Sequence, residues 1–409
     1  MRSNYKRLGD YVDVVNKRNK KLEVETLLGV SIRKVLMPSI ANTIGTNMTT
    51  YKIIKRNQFA YGPVTSRNGE KISIAILDEY DEAIVSQAYT VFKIKDEKAL
   101  NPEYLMMWFR RPEFDRYARY KSHGSAREIF DWNEMLETEL PIPSIEKQQE
   151  IVKEYNVVKN RIVLNEQLNQ NLEETAQALY KHWFVDFEFP VSKESHPKLV
   201  SGSQPLGYNS AGGKMVFNEE LDKEIPEGWE VDKLGNITAI SAGGDKPKTY
   251  SIYPTDFCNI PIYSNSSNND GLFGFTNKAK VSVDSITISA RGAILGFTRL
   301  RLHPFFPIVR LIVITPKNEY SLSYLFFCVD NFEFDNTASA QGQLTVPEIS
   351  FFKIMIPSDE ILKMFHKTFK KILTDINLTE VENKKLRQLT DIILSKMARV
   401  ENKLILSYE

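Results

Sequence analysis

Cysteine is scarce in this chain: Cys258 and Cys328 are its two thiols among 409 residues. Both have apolar or aromatic neighbours, which indicates buried structural thiols, and two are too few for a disulfide framework. Long apolar runs are missing as well, because none approaches the roughly 18 residues that a membrane span needs. The segment Met1–Lys6 lacks the apolar core of a secretory signal. These absences argue against a disulfide-rich secreted scaffold and an integral membrane protein, and they predict a cytoplasmic location.

An excess of one sign of charge is also missing. The chain has 53 Lys and Arg against 52 Asp and Glu, a formal net charge of +1. This balance argues against an indiscriminate polyanion binder, so any nucleic-acid contact must come from a local basic face. The 42% hydrophobic and 26% charged residues are typical of a globular protein, and the length suggests two or three domains.

Residue patterns that would support catalysis are poor. The five histidines show neither metal-ligand spacing nor a nucleophile partner. Gly207–Lys214 resembles a phosphate-binding loop, but its lysine comes one residue late and Met215 stands where the metal-binding hydroxyl belongs. Asp81 and Asp96-Glu97-Lys98 resemble nuclease carboxylates, yet no other metal-ligand cluster accompanies them. We therefore predict no catalytic residues and no metal site.

One further motif, Asn101-Pro102-Glu103-Tyr104, differs by one residue from the Asn-Pro-Pro-Tyr motif of amino-methyltransferases. That motif needs its second proline to shape the turn around the target amino group. No glycine-rich cofactor loop precedes it here. Because Asn-Pro is a common helix start, we interpret these residues as the beginning of a helix.

The most informative feature is a long helical pattern that occurs twice. It covers Lys147–Trp183 and returns at Ile361–Met397, 214 positions later. In both copies apolar residues alternate at spacings of four and three, the seam of a coiled coil. Both seams turn polar at the same two positions, which are Asn165 and Asn169 in the first copy and Thr379 and Asn383 in the second. Buried polar residues there fix register and partner at some cost in stability. Each helix would be roughly 55 Å long.

The residues around each long helix repeat as well. Each helix follows a short apolar strand that ends in Pro-Ser, at Ser144 and at Ser358, and Leu8-Gly9-Asp10 matches Leu234-Gly235-Asn236. A period of about 220 residues fits duplication of a whole domain. The predicted boundaries are a globular region at 1–146, a long helix at 147–187, a polar linker at 188–228, a globular region at 229–358 and a final helix at 359–409.

Both globular regions read as small mixed β-sheet domains with helices. Short runs rich in β-branched and aromatic residues, such as Ile72–Leu77 and Ile260–Tyr263, predict strands. A helix is predicted over Leu100–Arg110, and a basic loop of small residues over Arg116–Arg127. The loop Ala338–Thr345 occupies the repeat position of Ser122–Ala126.

Long polar side chains in the predicted loops are candidates for contact with DNA. Lys and Arg donate to phosphates, Arg can bridge guanine, and Asn or Gln can bridge adenine. The loop candidates are Lys17, Arg18, Arg67, Asn68, Lys121, Ser125 and Arg127 in the first half, and Lys246, Lys248, Asn265, Arg291, Gln341 and Gln343 in the second. Tyr61 and Tyr120 could pack on sugars or bases.

With these residues in view, the chain resembles the specificity subunit of a type I restriction–modification system. Stretches from nearly the whole chain carry the resemblance: Leu27-Leu28-Gly29-Val30-Ser31, Phe59-Ala60-Tyr61-Gly62-Pro63, Trp183-Phe184-Val185-Asp186-Phe187, Ile225-Pro226-Glu227-Gly228-Trp229 and Ile288-Ser289-Ala290-Arg291-Gly292. The paired Pro-Ser-plus-helix arrangement belongs to the same set.

The resemblance implies an α+β fold in which two target-recognition domains are joined by two long antiparallel coiled-coil helices, as a pseudo-twofold internal repeat. It implies a non-catalytic subunit that reads a split, asymmetric site on double-stranded DNA. Two methyltransferase subunits would dock on the helices, and restriction subunits would join them. S-adenosylmethionine, ATP and Mg²⁺ are then expected on the partner subunits, and no cofactor on this chain. Two alternatives stay open: a coiled-coil assembly scaffold with two protein-binding heads, and a divergent DNA methyltransferase.

Overall fold

The protein is described here from a computed structural model, which covers residues 5–39, 45–64, 71–123, 128–191, 207–291, 294–332 and 343–399. It divides into two compact units. Unit 1 comprises Met1–Glu166 and Glu380–Glu409, and unit 2 comprises Gln167–Thr379. Each long helix therefore contributes one part to unit 1 and the other part to unit 2. Among the described residues, no helix combines the length and apolar character that crossing a membrane requires.

Unit 1 contains ten short strands and three short helices among its described residues. The strands are β1 (Tyr5–Arg7), β2 (Val12–Val15), β3 (Leu27–Val30), β4 (Leu36–Pro38), β5 (Lys52–Lys55), β6 (Phe59–Gly62), β7 (Ser73–Ile76), β8 (Glu82–Val85), β9 (Thr90–Ile94) and β10 (Glu139–Pro141). The helices are α1 (Pro102–Arg110), α2 (Pro112–Tyr120) and α3 (Trp132–Leu136). The first long helix, α4 (Ile145–Tyr180), begins in this unit.

The strands of unit 1 form two four-stranded sheets and one two-stranded pair. The sheet orders are β2-β9-β6-β7 and β4-β3-β8-β5, and β1 pairs with β10. The main core lies between the first sheet and the helices α1 and α2. Phe59 and Phe92 stack at its centre with ring centroids 4.8 Å apart, and Phe109 from α1 meets both rings edge-on.

The loop predicted over Arg116–Arg127 is wrong in its first part. The stretch Arg116–Tyr120, predicted to be loop, is the second half of helix α2. Pro112 ends the pattern of α1 but stands in the first turn of α2, where its missing N–H costs nothing. The buried Phe114 and Ala118 then hold this helix against the core.

Unit 2 continues the chain with β11 (Met215–Asn218), β12 (Lys223–Pro226), β13 (Glu230–Lys233), α5 (Leu234–Ile237), β14 (Thr238–Ala242), β15 (Ile260–Tyr263), β16 (Leu272–Thr276), β17 (Ser285–Ile288), β18 (Thr298–Arg301), β19 (Phe306–Pro307), β20 (Ile312–Pro316), α6 (Leu322–Asp330), α7 (Val346–Ser350) and β21 (Lys353–Ile356). The second long helix, α8 (Asp359–Lys396), follows. The sequence also predicts a strand over Ile308–Ile314, but β20 begins only at Ile312, because Val309 and Arg310 have left-handed backbone angles that interrupt strand pairing.

One four-stranded sheet and one strand pair of unit 2 repeat those of unit 1, whereas the second sheet of unit 2 has three strands, in the order β16-β15-β19. The order β14-β20-β17-β18 matches β2-β9-β6-β7, and the pair β13–β21 matches β1–β10. Equivalent hydrogen bonds tie each lead-in strand to its unit: Tyr104 Oη donates to Pro141 O at 3.1 Å and Tyr324 Oη to Met355 O at 2.8 Å, while Leu8 N donates to Thr138 O and Leu234 N to Phe352 O, both at 2.8 Å. The internal duplication is confirmed down to individual hydrogen bonds.

The long helices pair along the predicted seam within each unit. In unit 1, Asn165 Nδ2 donates to Asn383 Oδ1 at 2.9 Å, and Arg161 forms two hydrogen bonds of 3.0 Å with Glu382. In unit 2, the Thr379 hydroxyl donates to Asn169 Oδ1. Moving along the first helix from Asn165 to Asn169 moves the partner back along the second helix from Asn383 to Thr379, as antiparallel packing requires. The coiled-coil seam and its two polar layers are confirmed.

The polar stretch predicted as a linker, 188–228, is folded wherever the structure describes it. Phe189 stacks on Tyr208 and on Trp229, with ring centroids 4.7 and 5.3 Å apart, and β11 and β12 form a hairpin. The linker prediction is therefore wrong for residues 188–191 and 207–228. Burial of these three aromatic rings stabilises the folded segment. This gain exceeds the conformational entropy that its glycine- and serine-rich parts lose on becoming ordered.

Candidate nucleic-acid interface

A groove in unit 2 forms where two tight loops meet. Gly243 N donates to Leu311 O at 2.8 Å, and the N–H groups of Val309 and Arg310 donate back to Gly244 O and Gly243 O at 2.9 Å. Val309 and Arg310 have φ angles of 52° and 58°, which a β-branched valine adopts only when its surroundings impose them. The backbone of the groove is thus fixed by hydrogen bonds and close packing.

Three cations surround this groove, whose volume is about 510 Å³. They are Lys246, Arg291 and Arg310, and Asp245 is the one acidic residue of the lining. Lys246 is oriented by Tyr250, with Nζ 3.3 Å from the phenol oxygen and 4.8 Å from the ring centroid. The structure therefore brings together Lys246 and Arg291, which the sequence proposed separately. Arg310 was missed, since no local pattern shows that strand pairing brings it back to Gly243.

Asn265 and Gln343 lie beside Arg291. Asn265 Oδ1 accepts a 2.9 Å hydrogen bond from Ala290 N, and its Nδ2 is buried without a partner among the described residues. Gln343 forms an isolated antiparallel bridge with Arg291 and is half-buried. Asn265 thus holds the backbone next to Arg291, and it is not a freely exposed reader. Lys248 is exposed on the loop beyond Lys246.

The buried side chain of Arg301 anchors the loop from Ser264 to Gly271. This arginine is 3% exposed and contacts Asp270 through a 2.5 Å ion pair and a 2.8 Å hydrogen bond to its backbone carbonyl. Its guanidinium also lies 3.7 Å from the ring centroid of Tyr263. The loop consequently presents the exposed Asn268 and Asn269 from a rigid base. Arg301 was not predicted, because its position in an alternating strand resembles an ordinary solvent-facing residue.

In unit 1 the predicted residues occupy two separate places. Lys17 and Arg18 are exposed, and Arg18 Nη1 donates to Thr50 O at 2.7 Å. Tyr120 is 83% exposed at the end of α2, and Lys121 forms a 3.7 Å ion pair with Glu134. No hydrogen bond or ion pair among the described residues joins the two groups. Arg67, Asn68, Ser125, Arg127 and Gln341 lie outside the described residues.

The prediction that Tyr61 contacts DNA is wrong. The Tyr61 side chain is 0% exposed in the core of unit 1, and its hydroxyl donates to the carbonyl oxygen of Phe130. Burial raises the pKa of this phenol far above its ordinary value. The side chain therefore holds β6 against the segment that precedes α3.

The motifs that resembled catalytic sites have structural roles. Asn101 caps α1 by accepting a 3.1 Å hydrogen bond from Tyr104 N. Asp81 pairs with Arg56 at 3.0 Å, and the lysine of the phosphate-loop-like stretch, Lys214, pairs with Glu227. Within the described part of the chain, no group of three or more His, Cys, Asp or Glu residues could hold a metal ion.

Each duplicated α+β unit carries loops with basic or amide side chains and contains one part of each of the two long antiparallel helices, which defines a class of α+β proteins with an internal repeat. The sequence matches the family described as type I restriction modification DNA specificity domain twice, over residues 3–174 and 226–391. The chain therefore belongs to the family of type I restriction–modification specificity subunits, whose role is non-catalytic.

Individual relatives agree with this assignment. The chain is 27% identical over 314 residues to the type I restriction enzyme MjaIX specificity subunit of Methanocaldococcus jannaschii, covering 72% of this chain and 68% of that one. It is 24% identical over 406 residues to the HindI specificity subunit of Haemophilus influenzae, covering 86% and 87%. The crystal structure of a type I restriction–modification system S subunit from M. genitalium has the same fold, with a TM-score of 0.56 at 16% identity over 96% of this chain and 95% of that one.

Proposed function

We propose that this chain reads a split, asymmetric site on double-stranded DNA, with one half-site for each unit. The observation that carries the proposal is that the two units share a central sheet and differ in their loops. The two units share a sheet order and equivalent tethers, yet the Lys246–Arg291–Arg310 groove of unit 2 has a different composition from the Lys17–Arg18 segment of unit 1. Two units that share a sheet order but differ in their contact residues would recognise half-sites of different sequence.

In this proposal Lys246, Arg291 and Arg310 contact phosphates or guanine edges, and Asn268 and Asn269 read bases. Arg donates a bidentate pair to guanine, and Asn does the same to adenine. Asn265 and Arg301 act as positioning residues, since both hold a loop and neither has an exposed donor. In unit 1, Lys17, Arg18, Tyr120 and Lys121 are the described candidates for contact with DNA.

We further infer that two methyltransferase subunits dock on the long helices, and that restriction subunits join the assembly in the cytoplasm. Exposed apolar side chains on these helices support docking: Val157 is 64% exposed, Leu164 58% and Leu378 61%. Leu164 and Leu378 occupy equivalent repeat positions, so each copy of the repeat offers the same contact. S-adenosylmethionine, ATP and Mg²⁺ would then bind the partner subunits, which supply the chemistry that this chain lacks.

Mapping methylated adenines in cells with and without this chain tests the reading function. A bipartite methylated sequence should appear only when the chain is present together with the methyltransferase subunits. Replacing residues 1–146 by the equivalent region of another specificity subunit should change one half-site and leave the other intact. If both half-sites changed, or neither did, the division of reading between the units would be wrong.

A further inference from the structure

A second basic groove, in unit 1, has no part in the contacts described so far. It lies between the β3–β4 turn, the start of β7 and the junction of α1 with α2, and its volume is about 330 Å³. Five of its eight lining residues are basic and one is acidic. We call it the Arg33 groove. Its charged residues are Arg33, Lys34, Lys71, Arg110, Asp115 and Arg116.

The floor of the Arg33 groove is a buried ion pair between Lys34 and Asp115, which is the one carboxylate of the lining. Lys34 is 4% exposed, and its Nζ lies 2.6 Å from Asp115 Oδ1 and donates to Phe109 O at 2.5 Å. Asp115 Oδ1 also accepts a 3.1 Å hydrogen bond from Ile72 N. These contacts join the β3–β4 turn, β7 and α2, so they fix the position of the turn that carries Arg33.

The rim of the groove keeps positive charge that no carboxylate among the described residues neutralises. Arg33 and Lys71 are exposed and Arg110 is half-buried, and none of the three forms an ion pair with a described residue. Arg116 pairs with Glu113 on its own helix at 3.4 Å, an exposed contact worth little. After burial, which is the main cause, the charges of Lys71 and Arg110 also lower the pKa of Lys34. The cations of the lining therefore repel one another.

We propose that the Arg33 groove binds the phosphate backbone of the DNA whose half-site unit 1 reads, which rests on the DNA-reading function proposed above. Its lining contains no Asn or Gln that could bridge adenine and no aromatic ring on which a base could stack. Asp115, the one acceptor suited to cytosine, is already engaged by Lys34. The groove is thus a sequence-independent contact that fixes the orientation of the duplex.

The salt dependence of DNA binding tests this role. The full chain, assembled with its methyltransferase subunits, is titrated with cognate DNA at several salt concentrations for the wild type and for the double variant Arg33→Gln/Lys71→Gln. Both residues are exposed, so folding is not at risk. Each lost phosphate contact should reduce the slope of log Kobs against log salt by about 0.9, so the double variant should lose about 1.8. The methylated sequence should stay the same.

The double variant Lys93→Gln/Lys98→Gln is the charge-matched control, because both lysines are exposed elsewhere in unit 1. A slope equal to that of the wild type in the groove variant, or an equal loss of slope in the control, would overturn the proposal. A changed half-site would also overturn it, since the groove would then read bases. If the groove variant failed to assemble with the methyltransferase subunits on a sizing column, the groove would contact protein instead, and the proposal would be wrong. Absence of site-specific binding by the wild type would instead refute the reading function itself.

Discussion

Asn165 on the first long helix donates its side-chain amide to the side-chain oxygen of Asn383 on the second, at 2.9 Å. Both residues are buried, at 2% and 4% exposure, and form one of the two polar layers of the seam. Replacing Asn383 by Ala should lower the free energy of unfolding by about 1–3 kcal/mol, because one buried N–H of Asn165 loses its acceptor. The loss should be nearer the lower limit, since Asn165 keeps its 3.0 Å hydrogen bond to Glu382. Urea denaturation of the full chain measures it.

Two variants make this prediction specific. The double variant Asn165→Leu/Asn383→Leu should recover the lost stability, because an apolar pair replaces the polar one, while register is less well defined. Asn160→Ala, at an exposed position of the first long helix, should change the free energy of unfolding by no more than about 0.5 kcal/mol. A double variant less stable than Asn383→Ala would show that the polar pair itself stabilises the seam.

The length of the helices should set the gap between the two half-sites. Inserting seven residues between Asn165 and Asn169 and seven between Thr379 and Asn383 preserves the seam, because the heptad phase is kept. Each helix gains about 10 Å, so the tolerated gap should lengthen by about three base pairs. Mapping of methylated sites measures the gap. An unchanged gap with intact methylation would refute a spacer role.

Alkaline pH should destabilise the protein through unit 2. Burial raises the pKa of the Cys328 thiol from 9.0 to about 11, and it raises the pKa of the neighbouring Tyr180 and Tyr324 phenols above their ordinary values. Between about pH 9 and pH 11 the unfolded chain loses these protons first, so the free energy of unfolding falls as pH rises. Stability is fully present below about pH 9.

Urea titrations at several pH values between about 8 and 11 check this slope. Cys328→Ala should make the slope shallower, whatever its effect on stability near neutrality. Val329→Ala removes similar buried volume without a thiol and should leave the slope unchanged. Equal slopes in the wild type and in Cys328→Ala would contradict a role for the buried thiol.

The seam and the duplication could be predicted from sequence because both are periodic. The four–three spacing requires Ile151, Tyr155 and Val158 on one face, and all three are buried. Tyr61 shows where this reasoning fails. Its strand β6 lies between β9 and β7 and is buried on both faces. The alternation of apolar and polar residues therefore does not show which side chains of β6 face the solvent.

Contacts made over long sequence distances account for the other misses. Arg301 holds a loop that lies about thirty residues earlier, and Arg310 reaches the groove only through backbone hydrogen bonds to Gly243. No local pattern encodes either pairing, because both depend on which strands become neighbours in the sheet. The buried Lys34–Asp115 pair is of the same kind.

Gly243 and Gly244 provide a paired test of the unit 2 groove. A Cβ at Gly243 would meet the backbone N of Ile308 at 2.8 Å and the carbonyl carbon of Pro307 at 2.8 Å, whereas at Gly244 the nearest atom would be Lys280 Nζ at 4.0 Å. Because this Cβ would clash with backbone atoms and not with the end of a flexible side chain, Gly243→Ala should cost about 1–3 kcal/mol and displace the loop that carries Arg310. Gly244→Ala should be close to neutral. In the assembled complex, Gly243→Ala should weaken binding to cognate DNA and relax methylation at the half-site read by unit 2, with the other half-site unaffected. DNA binding by Gly243→Ala equal to that of the wild type would mean that this groove does not contact DNA, even if Gly243→Ala were less stable.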